Sequence, residues 1–177
     1  MVITGFEPDG DSIQFKPAKL SLLEGLQRLV HPLRPTNIGS VNLRFEGIDA
    51  LELHFEGESQ PRPLSDEARD LLTRELDLDP VDYSEPRGIR VKAPSPNDGA
   101  PGYILSRGLE KNGRPVSFVF AGSTPRADGS KVHLTVPMLK KSMNYRLLAA
   151  GQAYPLYYDL LFPDLRDAFY DSGESGA

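Results

Sequence analysis

Several features are missing from this chain, and each absence excludes a class of protein. Cysteine is absent, which excludes disulfides, thiolate metal sites and cysteine nucleophiles. No apolar run approaches the length that spans a bilayer, so no membrane segment is expected. The first residues carry neither the basic region nor the apolar core of a signal peptide, and a cytoplasmic location is the default expectation. There is also no internal repeat and no heptad pattern.

The chain also lacks an excess of basic residues. Its 25 acidic and 20 basic side chains give a net charge of −5. Proteins that hold a long duplex by neutralising phosphates are usually basic, so such a protein is not expected here. A local basic cluster within an acidic surface remains compatible with an enzyme that releases its product. The 177 residues, 39% of them hydrophobic, are enough for one domain with a core, and we assign 1–177 to a single domain.

The order of predicted elements indicates an α+β protein that is mainly β. Alternating apolar residues follow the Asp9-Gly10 turn and recur in four later segments, which predicts strands near 13–15, 41–45, 103–105, 115–121 and 132–138. About three helices are expected: one capped by Ser65, one running from Ser142 to Gly151, and one beginning near Pro163. Three long segments read as insertions, 17–40, 77–101 and 121–141, and residues 172–177 as a frayed tail.

Three polar groups have the chemistry of a phosphodiester-cleaving site. They are "DGDS" at 9–12, "RFEGIDALE" at 44–52 and "EKNGRPVSFVF" at 110–120. If they meet in space, Asp11 and Asp49 offer hard oxygen ligands to a cation such as Ca²⁺. Glu52 would then be placed to deprotonate a water, and Arg44 and Arg114 to donate to a phosphate gaining charge.

Each group also has a structural interpretation that the residues alone leave open. "DGD" and "NGRP" are common turn sequences, and Arg44 and Glu46 share a strand face on which they can form a surface ion pair. The tyrosines near 154–158 either stack on bases or pack a chain terminus. Asn144 in a helix is most simply a buried hydrogen-bonding residue, and His54 a packed or surface histidine.

In order and spacing, these motifs resemble the staphylococcal nuclease (thermonuclease) family. That family has D-G-D before a strand, then an arginine followed by aspartate and glutamate at the spacing seen in "RFEGIDALE", then a helix. An acidic-basic-x-G-R motif before an apolar strand follows, and then a helix of the type found at "NYRLLAAGQA". The resemblance covers most of the chain, and the spacing within 44–52 is its most specific part.

The resemblance implies a five-stranded OB-type β-barrel with helices packed against it and a Ca²⁺-dependent nuclease activity. It implies that Asp11, Asp49 and the Ala50 carbonyl hold Ca²⁺, with Asp9 behind them. It also implies Glu52 as general base and Arg44 and Arg114 as transition-state donors. The nucleotide site would be lined by Lys111, Tyr157 and Tyr158, and the substrate would be single-stranded or loosened DNA or RNA, cleaved to 3′-phosphorylated products.

Two substitutions depart from the family pattern: Leu51 stands in place of a proline and Asn112 in place of a tyrosine. The first changes the turn that aims Glu52, and the second removes a ring that packs on the nucleotide. The alternative function is therefore a non-catalytic OB-fold module that binds nucleic acid or a protein partner.

Overall fold

The computed structural model describes residues 1–28, 30–50, 62–84, 90–92, 95–157 and 161–174. Four residues weighed above lie outside these ranges, namely Leu51, Glu52, His54 and Tyr158. The described part of the chain is α+β, as predicted. It contains eight short or medium strands in three sheets and five helices, more helices than the three expected.

The largest sheet is four-stranded, with the order β2-β6-β7-β4. Its centre is the antiparallel hairpin of β6 (Gly102–Leu109) and β7 (Pro115–Ala121). The sequence predicted both strands, the first only over 103–105. β2 (Gln27–Arg28) pairs in parallel with β6, and β4 (Arg44–Phe45) pairs in parallel with β7. The β4–β7 register places Arg44 opposite Val116, which brings the second and third sequence motifs onto adjacent strands.

The segment 41–50 runs through all three sheets. β3 (Val41–Asn42) pairs with β1 (Gln14–Phe15), β4 belongs to the large sheet, and β5 (Gly47–Ala50) pairs with β8 (Ala153–Leu156). Over the described ranges these sheets do not close into a barrel. The single run of ten residues therefore connects the first motif, the third motif and the C-terminal tyrosines.

The helices are α1 (Leu20–Glu24), α2 (Arg62–Glu75), α3 (Val136–Leu139), α4 (Met143–Ala149) and α5 (Pro163–Glu174). The limits of α4 were predicted correctly: the Ser142 hydroxyl accepts a hydrogen bond from the Tyr145 N–H at 3.2 Å, and Gly151 follows with φ +71°. Two predictions were wrong. α2 begins at Arg62, so Ser65 lies inside the helix, and the apolar alternation at 132–138 ends in α3 rather than forming a strand.

Two of the three insertions contribute packed residues where they are described, whereas most of 121–135 is exposed. Residues 17–40 contribute α1 and β2, and the Pro32 carbonyl lies so close to Gly113 that a Cβ there would stand 2.2 Å from its oxygen. In the insertion 77–101, Leu78 and Val91 are buried, and the Val91 N–H donates to the Phe6 carbonyl at 2.9 Å. Helix α5 continues to Glu174, so the predicted frayed tail does not begin at residue 172.

The core lies between the sheets and helices α2, α4 and α5, and its fully buried side chains include Leu43, Phe45, Ile48, Leu72, Leu147 and Phe169. Asn144 crosses it as predicted: its Nδ2 donates to the carbonyls of Glu46 (2.8 Å) and Ser117 (3.0 Å), and its Oδ1 accepts from the Val119 N–H. This amide ties α4 to both β7 and the 44–50 segment. Among the described helices, none has the length and apolar character needed to cross a bilayer.

Candidate functional site

The site is centred on Arg44, whose buried guanidinium contacts carboxylates from two different segments. Its Nη1 donates to Asp11 Oδ2 and its Nη2 donates to Asp49 Oδ1. Arg44 is 8% exposed and Asp11 2%, whereas the Asp49 side chain is 43% exposed. The predicted surface pair between Arg44 and Glu46 is therefore wrong, because Arg44 is buried between two aspartates and Glu46 pairs elsewhere.

Asp11 reaches this position through the tight turn predicted at "DGDS". Asp9 and Ser12 form the antiparallel bridge that closes the turn, and the Phe45 N–H donates to the Asp11 carbonyl at 3.1 Å. Gly10 allows the close approach, because a Cβ there would lie 2.7 Å from the Cβ of Ala50 and 2.8 Å from that of Ala68. The turn therefore packs between β5 and α2, and the Asp11 carboxylate is buried inside the protein.

The environment of Asp11 is short of positive charge. Burial raises the pKa of this carboxyl to about 7, Arg44 opposes the rise, and the neighbouring Asp9 and Asp49 add to it. The Ala50 N–H donates to Asp11 Oδ2 at 3.2 Å and stabilises the ionised form. Among the described residues, the Arg44 guanidinium contacts two carboxylates, with Asp9 nearby, so a further cation beside the buried Asp11 would be favourable.

Asp49 lies on β5 directly opposite Tyr154 of β8. Directly opposed residues of antiparallel strands have their Cβ atoms roughly 5 Å apart and project from the same face of the sheet. Tyr154 is 64% exposed, so its ring stands at the solvent side of the carboxylate pair. Sequence reasoning singled out Tyr157 and Tyr158 instead, although the 49–154 pairing makes Tyr154 the tyrosine beside the acids.

Arg114 is held at the turn of the β6–β7 hairpin by Glu110. Glu110 Oε1 accepts from the N–H groups of Asn112 (2.9 Å) and Arg114 (3.1 Å), and it lies 3.4 Å from Arg114 Nε. Val116 is paired with Arg44 across the β4–β7 ladder. Arg114 lies two residues before Val116, and two residues span roughly 7 Å along a strand. Sequence reasoning missed this role of Glu110, although an acid four residues before an arginine across an Asn-Gly turn is a recognisable signal.

The two described residues of the expected nucleotide site differ in their surroundings. Lys111 is exposed in the hairpin turn, next to Arg114. Tyr157 is half-buried, its ring lies 6.3 Å from that of Phe169, and burial raises the pKa of its hydroxyl. For Tyr157, the packed-terminus interpretation fits the contacts better than an exposed stacking surface.

The donors around Arg44 suit Ca²⁺ in type but do not form a complete cage. Asp11 and Asp49 carry carboxylate oxygens and Ala50 a backbone carbonyl, the hard ligands that Ca²⁺ takes. Within the described ranges, no group of three or more His, Cys, Asp or Glu side chains is arranged to hold a metal. A bound ion would therefore complete its coordination with backbone oxygens and water.

No protein-family model matches the chain, and a search of curated proteins also found no match.

Proposed function

We propose that the protein is a Ca²⁺-dependent phosphodiesterase that hydrolyses single-stranded or loosened DNA or RNA in the manner of the thermonuclease family. The observation that supports it best is the contact of Arg44 with both Asp11 and Asp49. Asp11 comes from the first motif, and Arg44 and Asp49 come from the second, so the fold brings two separate motifs to one point. Their chemistry matches the role that the sequence resemblance implies for each.

In this proposal, Asp11, Asp49 and the Ala50 carbonyl hold the metal ion, with Asp9 behind them. When bound, Ca²⁺ would supply positive charge beside the phosphate and offset the excess of carboxylates. Glu52 accepts a proton from the water whose oxygen bonds to phosphorus, the bond from phosphorus to the 5′ oxygen breaks, and that oxygen takes a proton from solvent to leave as a hydroxyl. Arg44 and Arg114 donate to the phosphate oxygens that gain charge.

Substrate contact in this proposal comes from Lys111, Tyr154 and Tyr158. Lys111 lies on the same hairpin turn as Arg114, and Tyr154 is exposed opposite Asp49. An exposed tyrosine stacks on any base, which suits a strand bound without sequence preference. We also propose that the three sheets are parts of one five-stranded OB-type barrel, because the 41–50 segment is shared by all three.

A second function, a non-catalytic module that binds nucleic acid or a protein partner, is favoured by one observation. Both arginines already contact acids: Arg44 donates to two aspartates, and Arg114 Nε lies 3.4 Å from Glu110. Guanidinium groups engaged in this way maintain a fold without any phosphate present. The two functions differ in whether Glu52 and Arg114 are needed for turnover.

Nuclease activity on single-stranded DNA and RNA, with Ca²⁺ or with EDTA, tests the proposal. We compare the wild type with Glu52→Gln and Arg114→Ala. Arg126→Ala serves as the matched control, since Arg126 is exposed and lies in "RADGSK", an alternative arginine motif without arginine after its glycine.

Removal of a transition-state donor costs about 100-fold in rate or more. We expect calcium-dependent cleavage that Arg126→Ala leaves intact and the other two variants reduce by that amount. Absence of cleavage by the wild type would support the binding module.

A further inference from the structure

An arginine from the insertion 17–40 lies against the hairpin turn that carries Arg114. A Cβ placed on Gly113 would stand 3.6 Å from Arg34 Cγ and 2.2 Å from the Pro32 carbonyl oxygen. Gly113 directly precedes Arg114 and is buried, although it lies in the turn between two paired strands. The segment around Pro32 and Arg34 therefore covers the turn, and the Arg34 side chain borders it.

The backbone at Arg34 is fixed on both sides. Leu33 packs against the hydrophobic core, whereas Arg34 is exposed. Pro35 follows, and a residue before proline is restricted to extended conformations. Thr36 then donates its N–H to the Ser40 carbonyl at 2.7 Å, which closes a turn. Arg34 is therefore presented from an ordered segment, so that binding through it costs little backbone entropy.

Positive charge is concentrated at this turn. Neither Arg34 nor Lys111 forms an ion pair with another residue that the structure describes, and both side chains are exposed. Arg114 is different, because its Nε lies 3.4 Å from Glu110 Oε1. Two exposed cations without such a partner, next to a third cation, favour the binding of an anion.

A phosphate of a nucleic acid backbone suits this position. The N–H groups of a guanidinium form a fork that matches two phosphate oxygens. Arg114 is assigned to the phosphate that is cleaved, and Arg34 reaches the turn from a different segment, so it is available to another phosphate of the same strand. The net charge of −5 disfavours a duplex held along its length, and a single strand is therefore favoured.

We propose that Arg34 binds a backbone phosphate other than the one that is cleaved, and that the insertion 17–40 is part of the substrate-binding surface. The inference rests on the proposed function for the identity of the ligand, a single strand of DNA or RNA. It deepens that function, because a strand of several nucleotides then binds more tightly than a dinucleotide. It does not require that the bound strand is cleaved.

Fluorescence anisotropy of a labelled oligonucleotide of about eight deoxythymidines measures the binding. The full-length protein is titrated in EDTA, and its Glu52→Gln variant in Ca²⁺, each at several salt concentrations. One phosphate contact on a single strand contributes about 0.7 to the slope of log affinity against log salt concentration. We expect Arg34→Gln to weaken binding about fivefold at low salt and to reduce this slope by about 0.7.

Two further variants control for charge and position. Arg34→Lys keeps the positive charge and should retain the slope of the wild type, because an ammonium group also binds phosphate. Arg126→Gln removes another exposed arginine from an insertion and should change neither the slope nor the affinity. A slope in Arg34→Gln equal to that of the wild type, or a loss that Arg126→Gln reproduces, would overturn the inference.

Cleavage is followed separately, so that failure of the inference and failure of the proposed function are distinguishable. Binding that weakens in Arg34→Gln without any cleavage by the wild type would support the inference and overturn the nuclease function. Cleavage by the wild type, with a binding slope that Arg34→Gln leaves unchanged, would overturn the inference alone. Absence of binding both in EDTA and in Ca²⁺ would overturn both.

Discussion

Arg44 and Glu46 are two residues apart on one segment, and both are buried charges, yet their surroundings differ. Arg44 is a single cation that contacts two aspartates, Asp11 and Asp49. Glu46 is a single anion with one arginine, Arg107, and one unpaired oxygen. Among the described residues, the first region holds more acids than bases, whereas in the second one acid pairs with one arginine. A buried excess of one sign favours an ion of the other sign.

The largest effect is expected when the cation of the first region is removed. Arg44→Met leaves the buried Asp11 carboxylate without its ion-pair partner, and we expect a loss of about 3–5 kcal/mol in the free energy of unfolding. Urea denaturation measures it. Arg126→Met, at an exposed position, is the control and should change stability by less than about 0.5 kcal/mol. A loss below about 1 kcal/mol for Arg44→Met would show that the aspartates do not depend on this arginine.

The pH dependence of stability tests the excess of negative charge directly. The pKa of Asp11 is raised from 3.8 to about 7 in the folded protein, so the folded state binds the proton more tightly than the unfolded state. Its contribution to stability is complete below about pH 4 and is lost as the pH rises toward 7. We expect unfolding free energies measured in EDTA to fall across this range, and Asp11→Asn to flatten the slope. A contribution from Asp11 that rises with pH would contradict the charge imbalance.

A smaller effect is expected in the second region. Arg107→Met removes the partner of Glu46, but the Arg107 side chain is 45% exposed, so solvent already screens part of this ion pair. We expect a loss of about 1–2 kcal/mol, clearly less than for Arg44→Met, in the same urea experiment. Equal losses for the two variants would remove the distinction between the regions.

The smallest effect on stability is expected at Tyr154, which stands beside the first region only. Because it is 64% exposed, Tyr154→Ala should change the unfolding free energy by less than about 1 kcal/mol. Loss of a stacking ring weakens single-strand binding by about 1 kcal/mol or more, so affinity for a short oligonucleotide should fall at least about fivefold. Unchanged affinity for the oligonucleotide in Tyr154→Ala would show that this ring does not stack on the bound strand.

Part of this architecture was predictable because its causes are local. The Asp9-Gly10 turn, the hairpin strands at 102–109 and 115–121, and the capped helix from Ser142 all depend on side chains within a few residues. Two predictions of local structure failed. The alternation at 132–138 resembles a strand, but the described segment ends in a short helix with Pro137 in its first turn. At Ser65 the capping pattern was present, yet the helix had already begun at Arg62.

The candidate site divides in the same way. The sequence by itself determined which residues are candidates for the chemistry, because the five-residue spacing from Arg44 to Asp49 is a property of one short segment. Only the tertiary structure decided their partners. Arg44 meets Asp11 across 33 residues and Glu46 meets Arg107 across 61, and the β5–β8 register places Tyr154 opposite Asp49. Charge balance inside a protein is set by neighbours in space, and those neighbours are chosen by how the strands pair and pack, which local sequence does not encode.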